Sequence, residues 1–322
     1  MDNTSISYGP NNYMDILYFL SNSNINPHID RIYFSCRSDI DKPEKILFSV
    51  LKENDYKCKY DHFAKGEIYK RVRRYTSSLT NVNLSIIYER NKCYSYYPCM
   101  GINIYKPDIT TVEWFDIICN SLGFLTTLSH VELTMNFTPY QYGLQEFFCT
   151  HLFLKYHSGN VCFYGDDVPK TFYIGHKRKN SKSVIVYDKT IDGVNILRLE
   201  IRINRSFLQR HEVELCCFEE INNIDLSSFI SFKQLNYEKL SKHFQWRHKE
   251  QISRLGERWR GVYVRQLMSY LEDERMGDER SVANNILCMK KSPYKNNCQR
   301  FLEDMPDANE AFSKRLGDVK FI

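Results

Sequence analysis

Strict alternation of apolar and polar residues in two segments is the feature that most restricts the fold. The segments are HVELTMNF (130–137) and ILRLEIRI (196–203), and their polar positions are Glu132, Thr134, Asn136, Arg198, Glu200 and Arg202. Residues two apart in a strand share a face, so each segment predicts a strand with one apolar and one polar face. The apolar faces need a covering layer, and the polar faces predict an open side of the sheet.

Further segments extend this prediction to an α+β protein. RIYFSC, NLSIIYE, YSYYPCMGINIY, VCFYG, KTFYIG and SVIVYDK read as strands. ITTVEWFDIICNSLGFL has helical spacing, with Asp108 or Thr110 near its N-cap, and the chain from about Phe232 reads as helix. We predict an antiparallel β-sheet core with helices packed on one face, followed by a mainly helical C-terminal region. The predicted divisions are a poorly structured segment at 1–30, a core domain at 31–225 and the helical region at 226–322.

Composition adds few restrictions. The chain has 322 residues and a net charge of +5, which is compatible with a nucleic-acid partner without requiring one. Its 11 cysteines include no CxxC pair, so we expect reduced thiols. The polar start lacks the apolar region of a signal peptide, and no apolar run approaches the roughly 20 residues of a membrane helix. We expect a cytoplasmic protein without a membrane partner.

Tyr187 is the candidate nucleophile. If the strands pair, Glu132, Asn136 and Glu200 converge with it on the open face. Two carboxylates and an amide oxygen suit Mg²⁺ or Mn²⁺, which would draw charge from a scissile phosphate. Lys189 lies two residues beyond Tyr187 and would favour its phenolate. Each part also has an ordinary structural explanation, since strand tyrosines usually pack and an Arg–Glu–Arg alternation often forms a salt-bridge ladder.

Basic residues supply candidate DNA contacts. They are Lys177, Arg178, Lys179 and Lys182 in the turn HKRKNSK, Arg198 and Arg202 beside Glu200, and Arg247, Arg254, Arg258 and Arg265 along the C-terminal helical stripe. Such cations would contact phosphates and make binding sensitive to salt. The alternative for the turn and the stripe is an ordinary solvated surface.

Four motifs in order resemble the replication-initiation-factor family, which starts rolling-circle replication of small plasmids and is related to phage initiators and conjugative relaxases. They are MGINIYKPDITTVEWFDII, SHVELTMNF, TFYIG…VIVYDK and LRLEIRI, within about 100–210. The resemblance makes Tyr187 the nucleophile, Glu132 and Asn136 the two acidic strand positions, and Glu200 the later glutamate. Three positions depart from the family pattern, and one of them is Ile185, which stands where a basic residue is often found two before the tyrosine. Asn136 replaces an acidic residue, and Glu132 replaces an aspartate.

The resemblance implies a metal-dependent, topoisomerase-like DNA nickase. Such an enzyme nicks and rejoins a plasmid or phage origin through a phosphotyrosine intermediate. Its DNA partner would be a double-stranded origin with a hairpin and a single-stranded nick site; the protein partners would be a second copy and a host helicase. Residues 31–225 would be the nickase domain, and 226–322 would bind DNA. The alternatives are a conjugative relaxase and a non-catalytic origin-binding protein with a degenerate metal site. A tyrosine recombinase is disfavoured, because no Arg…His-x-x-Arg pattern precedes a C-terminal tyrosine.

Overall fold

The computed structural model describes residues 10–65, 67–78, 82–140, 144–154, 161–164, 171–174, 182–209, 218–235 and 302–321. Its strands are β1 Asn24–Arg37, β2 Tyr56–Phe63, β3 Tyr69–Ser77, β4 Asn83–Arg90, β5 Met100–Tyr105, β6 Leu125–Thr138, β7 Leu152–Leu154, β8 Val161–Tyr164, β9 Thr171–Ile174, β10 Lys182–Ile191, β11 Val194–Asn204, β12 Ile230–Leu235 and β13 Leu302–Asp304. Its helices are α1 Pro10–Asn22, α2 Pro43–Glu53, α3 Ile109–Ser121, α4 Leu144–His151, α5 Arg205–Leu208 and α6 Pro306–Gly317, with 3₁₀ turns at Lys92–Tyr94, Phe218–Asn223 and Leu226–Ser228.

Ten strands of the described chain form one antiparallel sheet in the order β2-β3-β4-β5-β1-β6-β11-β10-β9-β8. A smaller sheet has the order β13-β12-β7. This architecture confirms the predicted α+β class. None of the helices in the described ranges is long and apolar enough to cross a membrane.

One face of the large sheet carries the core. Leu133 and Phe137 of β6 are fully buried, and they lie opposite Ile201 and Leu197 of β11. The ring of Phe137 contacts one phenylalanine from each of three helices: Phe19 of α1, Phe148 of α4 and Phe312 of α6, at centroid distances of 6.3, 5.8 and 6.2 Å. The apolar faces predicted from the alternation are therefore the faces that the helices cover.

Helices also cover the apolar face of the other half of the sheet. Phe34 of β1 contacts Phe115 of α3 at 6.0 Å, and Phe48 of α2 contacts Tyr88 of β4 at 5.0 Å. Asp108 is the N-cap of helix α3, and its carboxylate accepts a hydrogen bond from the backbone N–H of Thr111 at 2.7 Å. This cap is one of the two that the sequence predicts.

The N-terminal prediction is wrong over residues 10–30, which form α1 and the first half of β1. Ile16, Phe19 and Leu20 have helical spacing and are buried, so α1 is held by its apolar face despite the Asn- and Ser-rich composition. From Asn24 onward β1 pairs with β6, beginning opposite Thr138.

The predicted end of the strands near residue 232 is also wrong, because β12 pairs with both β7 and β13. Helix α6 packs on α1, and Phe312 and Leu316 belong to the same apolar core as Ile16 and Leu20. A boundary at 225 therefore does not separate the described C-terminal residues from the sheet. The predicted helical stripe lies outside the described residues.

Candidate active site

Polar side chains of adjacent strands meet on the open face of the sheet, opposite the helices. Tyr187 of β10 pairs with Arg198 of β11, which pairs with Asn136 of β6. In the next row along the strands, Glu200 pairs with Thr134. Directly opposed residues of antiparallel strands project from the same face, so the pairing brings these side chains together as the alternation predicts.

A β-bulge in β1 adds side chains to this surface. Ile29 and Arg31 are paired with consecutive residues of β6, so Asp30 is the extra residue. Bulges re-aim side chains, and here Asp30 and Arg31 both lie by the open face. The guanidinium of Arg31 is 3.7 Å from the carboxylate of Glu132.

These residues line a cleft of about 650 Å³. Its lining residues are His28, Asp30, Arg31, Tyr105, Lys106, Glu132, Tyr187, Lys189, Thr190, Ile191, Asp192, Arg198 and Glu200. Five residues predicted for the site are among them: Glu132, Tyr187, Lys189, Arg198 and Glu200. Asn136 and Arg202 instead contact lining residues. The size suits a small ligand or one segment of a polymer.

The hydroxyl of Tyr187 donates a hydrogen bond to Glu200 Oε1. Burial raises the pKa of Tyr187 above its usual value of about 10, and the Glu200 carboxylate raises it further. The nearby Arg198 guanidinium opposes this shift by favouring the phenolate. Tyr187 is therefore a neutral phenol near neutral pH, and a carboxylate that can accept its proton is already in contact.

Arg198 is held from two sides beneath the cleft. Its side chain is almost fully buried; Nε donates to Asn136 Oδ1 at 2.8 Å, and Nη1 lies 3.4 Å from Asp30 Oδ2. His28 and Thr134 donate to the two carboxylate oxygens of Asp30 at 3.1 and 2.8 Å. Burial acts to raise the pKa of Asp30, but these hydrogen bonds and the nearby cations outweigh it and hold the pKa at about 2.

Arg202 lies between the two glutamates of the site. Its Nη2 donates to Glu200 Oε2 at 3.3 Å, and its Nε lies 3.2 Å from Glu132 Oε1 without hydrogen-bond alignment. His130 Nε2 also contacts Glu132 Oε1, at 3.1 Å. Burial acts to raise the pKa of Glu132, but the His130 hydrogen bond and the Arg202 charge outweigh it and lower the pKa.

The three predicted metal ligands do not fit a magnesium or manganese site. Glu132 and Glu200 both contact Arg202, and the amide oxygen of Asn136 accepts from Arg198. A hard divalent cation needs several free oxygen ligands, whereas Glu132 Oε1, Glu200 Oε2 and Asn136 Oδ1 each lie against an arginine. Within the described ranges, no group of three or more His, Cys, Asp or Glu side chains has a metal-binding arrangement. The requirement for Mg²⁺ or Mn²⁺ stays a prediction from the resemblance.

The predicted lysines have different surroundings. Lys189 is exposed and lines the cleft. Lys182 is 9% exposed, and its Nζ lies 4.6 Å from the centroid of the Phe229 ring. Lys182 shares the helix-covered face with the fully buried Val184, and a DNA contact from Lys182 stays a prediction. Arg198 and Arg202 lie at the cleft, whereas seven further predicted DNA-binding residues lie outside the described residues: Lys177, Arg178, Lys179, Arg247, Arg254, Arg258 and Arg265.

The sequence prediction misses the contribution of β1 to the cleft. His28 and Asp30 fall in the segment predicted to be poorly structured, and Arg31 is the first residue of the predicted strand RIYFSC. A bulge leaves no periodic pattern, so only the pairing with β6 shows that Asp30 and Arg31 both reach this face.

Comparisons with known proteins give weak similarities. No family model matches the sequence, and no curated protein matches it. Among solved structures, the rolling circle replication initiator protein from Geobacillus stearothermophilus is 13% identical, with a TM-score of 0.41, covering 66% of this chain and 88% of its own. The apo structure of the immunity protein TplEi of T6SS from Pseudomonas aeruginosa is 9% identical, with a TM-score of 0.14, and the match covers 60% of this chain and 90% of that chain. Similarity at this level carries no argument about function.

Proposed function

We propose that this protein is a DNA nickase that cuts a phosphodiester and holds the broken end covalently on Tyr187. The observation that carries the proposal is the hydrogen bond from the Tyr187 hydroxyl to Glu200, beside the Arg198 guanidinium and inside an open cleft. A nucleophile, a proton acceptor in contact with it and a fixed cation are the groups that a phosphoryl transfer needs. The order of the four sequence motifs supports the same function.

In the proposed step, the proton of the Tyr187 hydroxyl moves to Glu200 Oε1 while the phenolic oxygen bonds to phosphorus. The P–O3′ bond breaks, the 3′ oxygen takes a proton from water, and a 5′-phosphotyrosine remains. Arg198 stabilises the negative charge on the phenolic oxygen. Rejoining is the reverse reaction, with the 3′-hydroxyl as nucleophile.

The proposed substrate is a single-stranded nick site, presented by a hairpin in a double-stranded plasmid or phage origin. Nicking and rejoining there would start and end rolling-circle replication. The proposed protein partners are a second copy of this chain and a host helicase, both of which the family resemblance implies.

Nicking with and without EDTA tests the metal requirement. If Mg²⁺ or Mn²⁺ is required, EDTA should abolish cleavage while DNA binding persists.

Replacing Tyr187 by Phe tests the proposal. The wild-type protein should relax a supercoiled plasmid carrying its origin and remain attached to the 5′ end. Tyr187→Phe should lose both activities and retain DNA binding, because only the nucleophilic oxygen is removed. Tyr18→Phe is the control and should nick normally, because Tyr18 is exposed on α1, which covers the face of the sheet opposite the cleft. Nicking by Tyr187→Phe at the wild-type rate would refute the assignment.

A non-catalytic origin-binding protein is the second candidate. The observation favouring it is that the acidic side chains of the site are already paired with arginines, as in a structural salt-bridge ladder. This candidate predicts that the wild-type protein binds origin DNA but neither nicks it nor forms an adduct, with or without divalent ions. A conjugative relaxase would share the proposed chemistry and differ in requiring a transfer origin.

A further inference from the structure

A second cavity opens at the other half of the sheet. It has a volume of about 450 Å³ and is lined by Tyr33, His62, Ala64, Lys65, Glu67, Ile68, Tyr69, Val72 and Ile87. Val72 of β3 pairs with Ile87 of β4, which pairs with Gly101 of β5. Their neighbours Ile86 and Ile102 belong to the buried core, so Val72 and Ile87 lie on the open face.

Tyr33 forms the wall of this cavity nearest to the active site. Its ring lies so close to Gly101 that a Cβ atom there would be 2.1 Å from Tyr33 Oη and 2.7 Å from two ring carbons. Only glycine leaves room for the ring at this point on the sheet. The rings of Tyr33, His62 and Tyr69 give the cavity aromatic surface on several sides.

The cavity and the active-site cleft lie on the same face. Arg31 of the cleft is two residues from Tyr33 of the cavity, and the centre of the cavity near β4 is five strand spacings from β10, or roughly 24 Å. Lys65 lines the cavity, and Arg74 is two residues from Val72 on the open face. Glu67 is the acidic lining residue among these cations.

We propose that this cavity binds a nucleobase of single-stranded DNA, a few nucleotides from the phosphate in the Tyr187 cleft. Aromatic and aliphatic walls fit a flat base, and the surrounding cations fit the phosphates on either side of it. Binding there would hold the strand across the open face and fix which phosphate reaches Tyr187. The proposal rests on the proposed function for the choice of DNA as the ligand.

The test uses the full chain carrying Tyr187→Phe and a fluorescently labelled oligothymidylate, with binding measured by anisotropy. The double variant His62→Ala/Val72→Asp removes one aromatic wall and places a negative charge in the cavity. We expect it to weaken binding about 10-fold or more. Phe63→Ala is the control, because Phe63 is 77% exposed on the neighbouring position of β2 and points to the opposite face. It should bind as tightly as the parent protein.

Abasic substitutions through a mixed-sequence single-stranded oligonucleotide covering the nick site, which binds in one register, distinguish a base contact from a general loss of structure. In the parent protein, removing one particular base should weaken binding; in the double variant the same removal should have no further effect. Tyr33→Leu serves as a second cavity variant and should show the same pattern. The proposal would be overturned if both variants bound with unchanged affinity. It would also be overturned if the variants bound more weakly but no single abasic substitution weakened binding by the parent protein. Because no covalent step is measured, this result is independent of whether Tyr187 cuts DNA.

Discussion

At the scale of single residues, the site is a network of charged and polar groups around two arginines. Arg198 contacts Asn136 and Asp30, and Arg202 contacts Glu132 and Glu200. A buried guanidinium without such partners would be strongly destabilising, so these contacts keep both cations in place. Asn136 suits this position, since its amide oxygen accepts from Arg198 without adding a second negative charge beside Asp30.

Glu200→Gln separates the role of the carboxylate as proton acceptor from its role in binding. Glutamine keeps the size of the side chain but is not a base, so nicking of a single-stranded oligonucleotide should fall by at least about 100-fold. Affinity for the same oligonucleotide, measured by anisotropy, should change little. Glu113→Gln, on the exposed side of α3, is the control. Nicking within a few-fold of the wild type would contradict the assignment of Glu200 as proton acceptor.

The carboxylate of Asp30 predicts a pH dependence of stability. Its pKa is about 2 in the folded protein and near 3.9 in an unfolded chain, so its contribution is fully present above about pH 4 and is lost as the pH falls towards 2. This difference corresponds to a contribution of about 2.6 kcal/mol. Asp30→Asn should therefore lower the free energy of unfolding at pH 7 by about this amount and flatten its decline below pH 4. Urea unfolding across this pH range measures the free energy of unfolding at pH 7 and its decline below pH 4. If Asp30→Asn left that decline unchanged, the contacts assigned to Asp30 would be contradicted.

At the scale of elements, the alternation of apolar and polar residues and the helix-capping residues predict the structure correctly. They place β6, β10, β11 and the start of α3, and so they also place Tyr187 beside Glu200. The bulge at Asp30 and the pairing of β12 with β13 depend on contacts between distant segments, which no local pattern records. The buried position of Lys182 has the same cause, because the sequence shows its charge but not the ring of Phe229 beneath it.

Helix α6 provides a test of the corrected domain organisation. Phe312 is buried and contacts Phe137, Phe148 and Phe232, so it joins α6 to the large sheet. Phe312→Ala should lower the free energy of unfolding of the sheet core by about 3–5 kcal/mol. Lys314→Ala on the exposed side of α6 is the control. If far-UV circular dichroism showed the core melting as in the wild type, α6 would belong to an independent C-terminal unit.

At the scale of the whole molecule, the sheet has its main apolar core on one face and both candidate binding sites on the other. Apolar side chains and helices occupy one face, and the other face carries the Tyr187 cleft at one side and the aromatic cavity at the other. Charged groups on the open face can therefore be arranged for binding and chemistry without disrupting the core. A strand of DNA lying across that face would contact both sites. Binding of a base in the aromatic cavity would then determine which phosphate Tyr187 attacks.

The most direct test of the central claim is to identify the residue that becomes linked to DNA. The wild-type protein would be incubated with single-stranded oligonucleotides covering its origin, then digested with nuclease and trypsin and analysed by mass spectrometry. We predict a nucleotide phosphate on Tyr187, within the tryptic peptide SVIVYDK that spans 183–189. Nicking with an adduct on another tyrosine, or with no protein adduct at all, would contradict it.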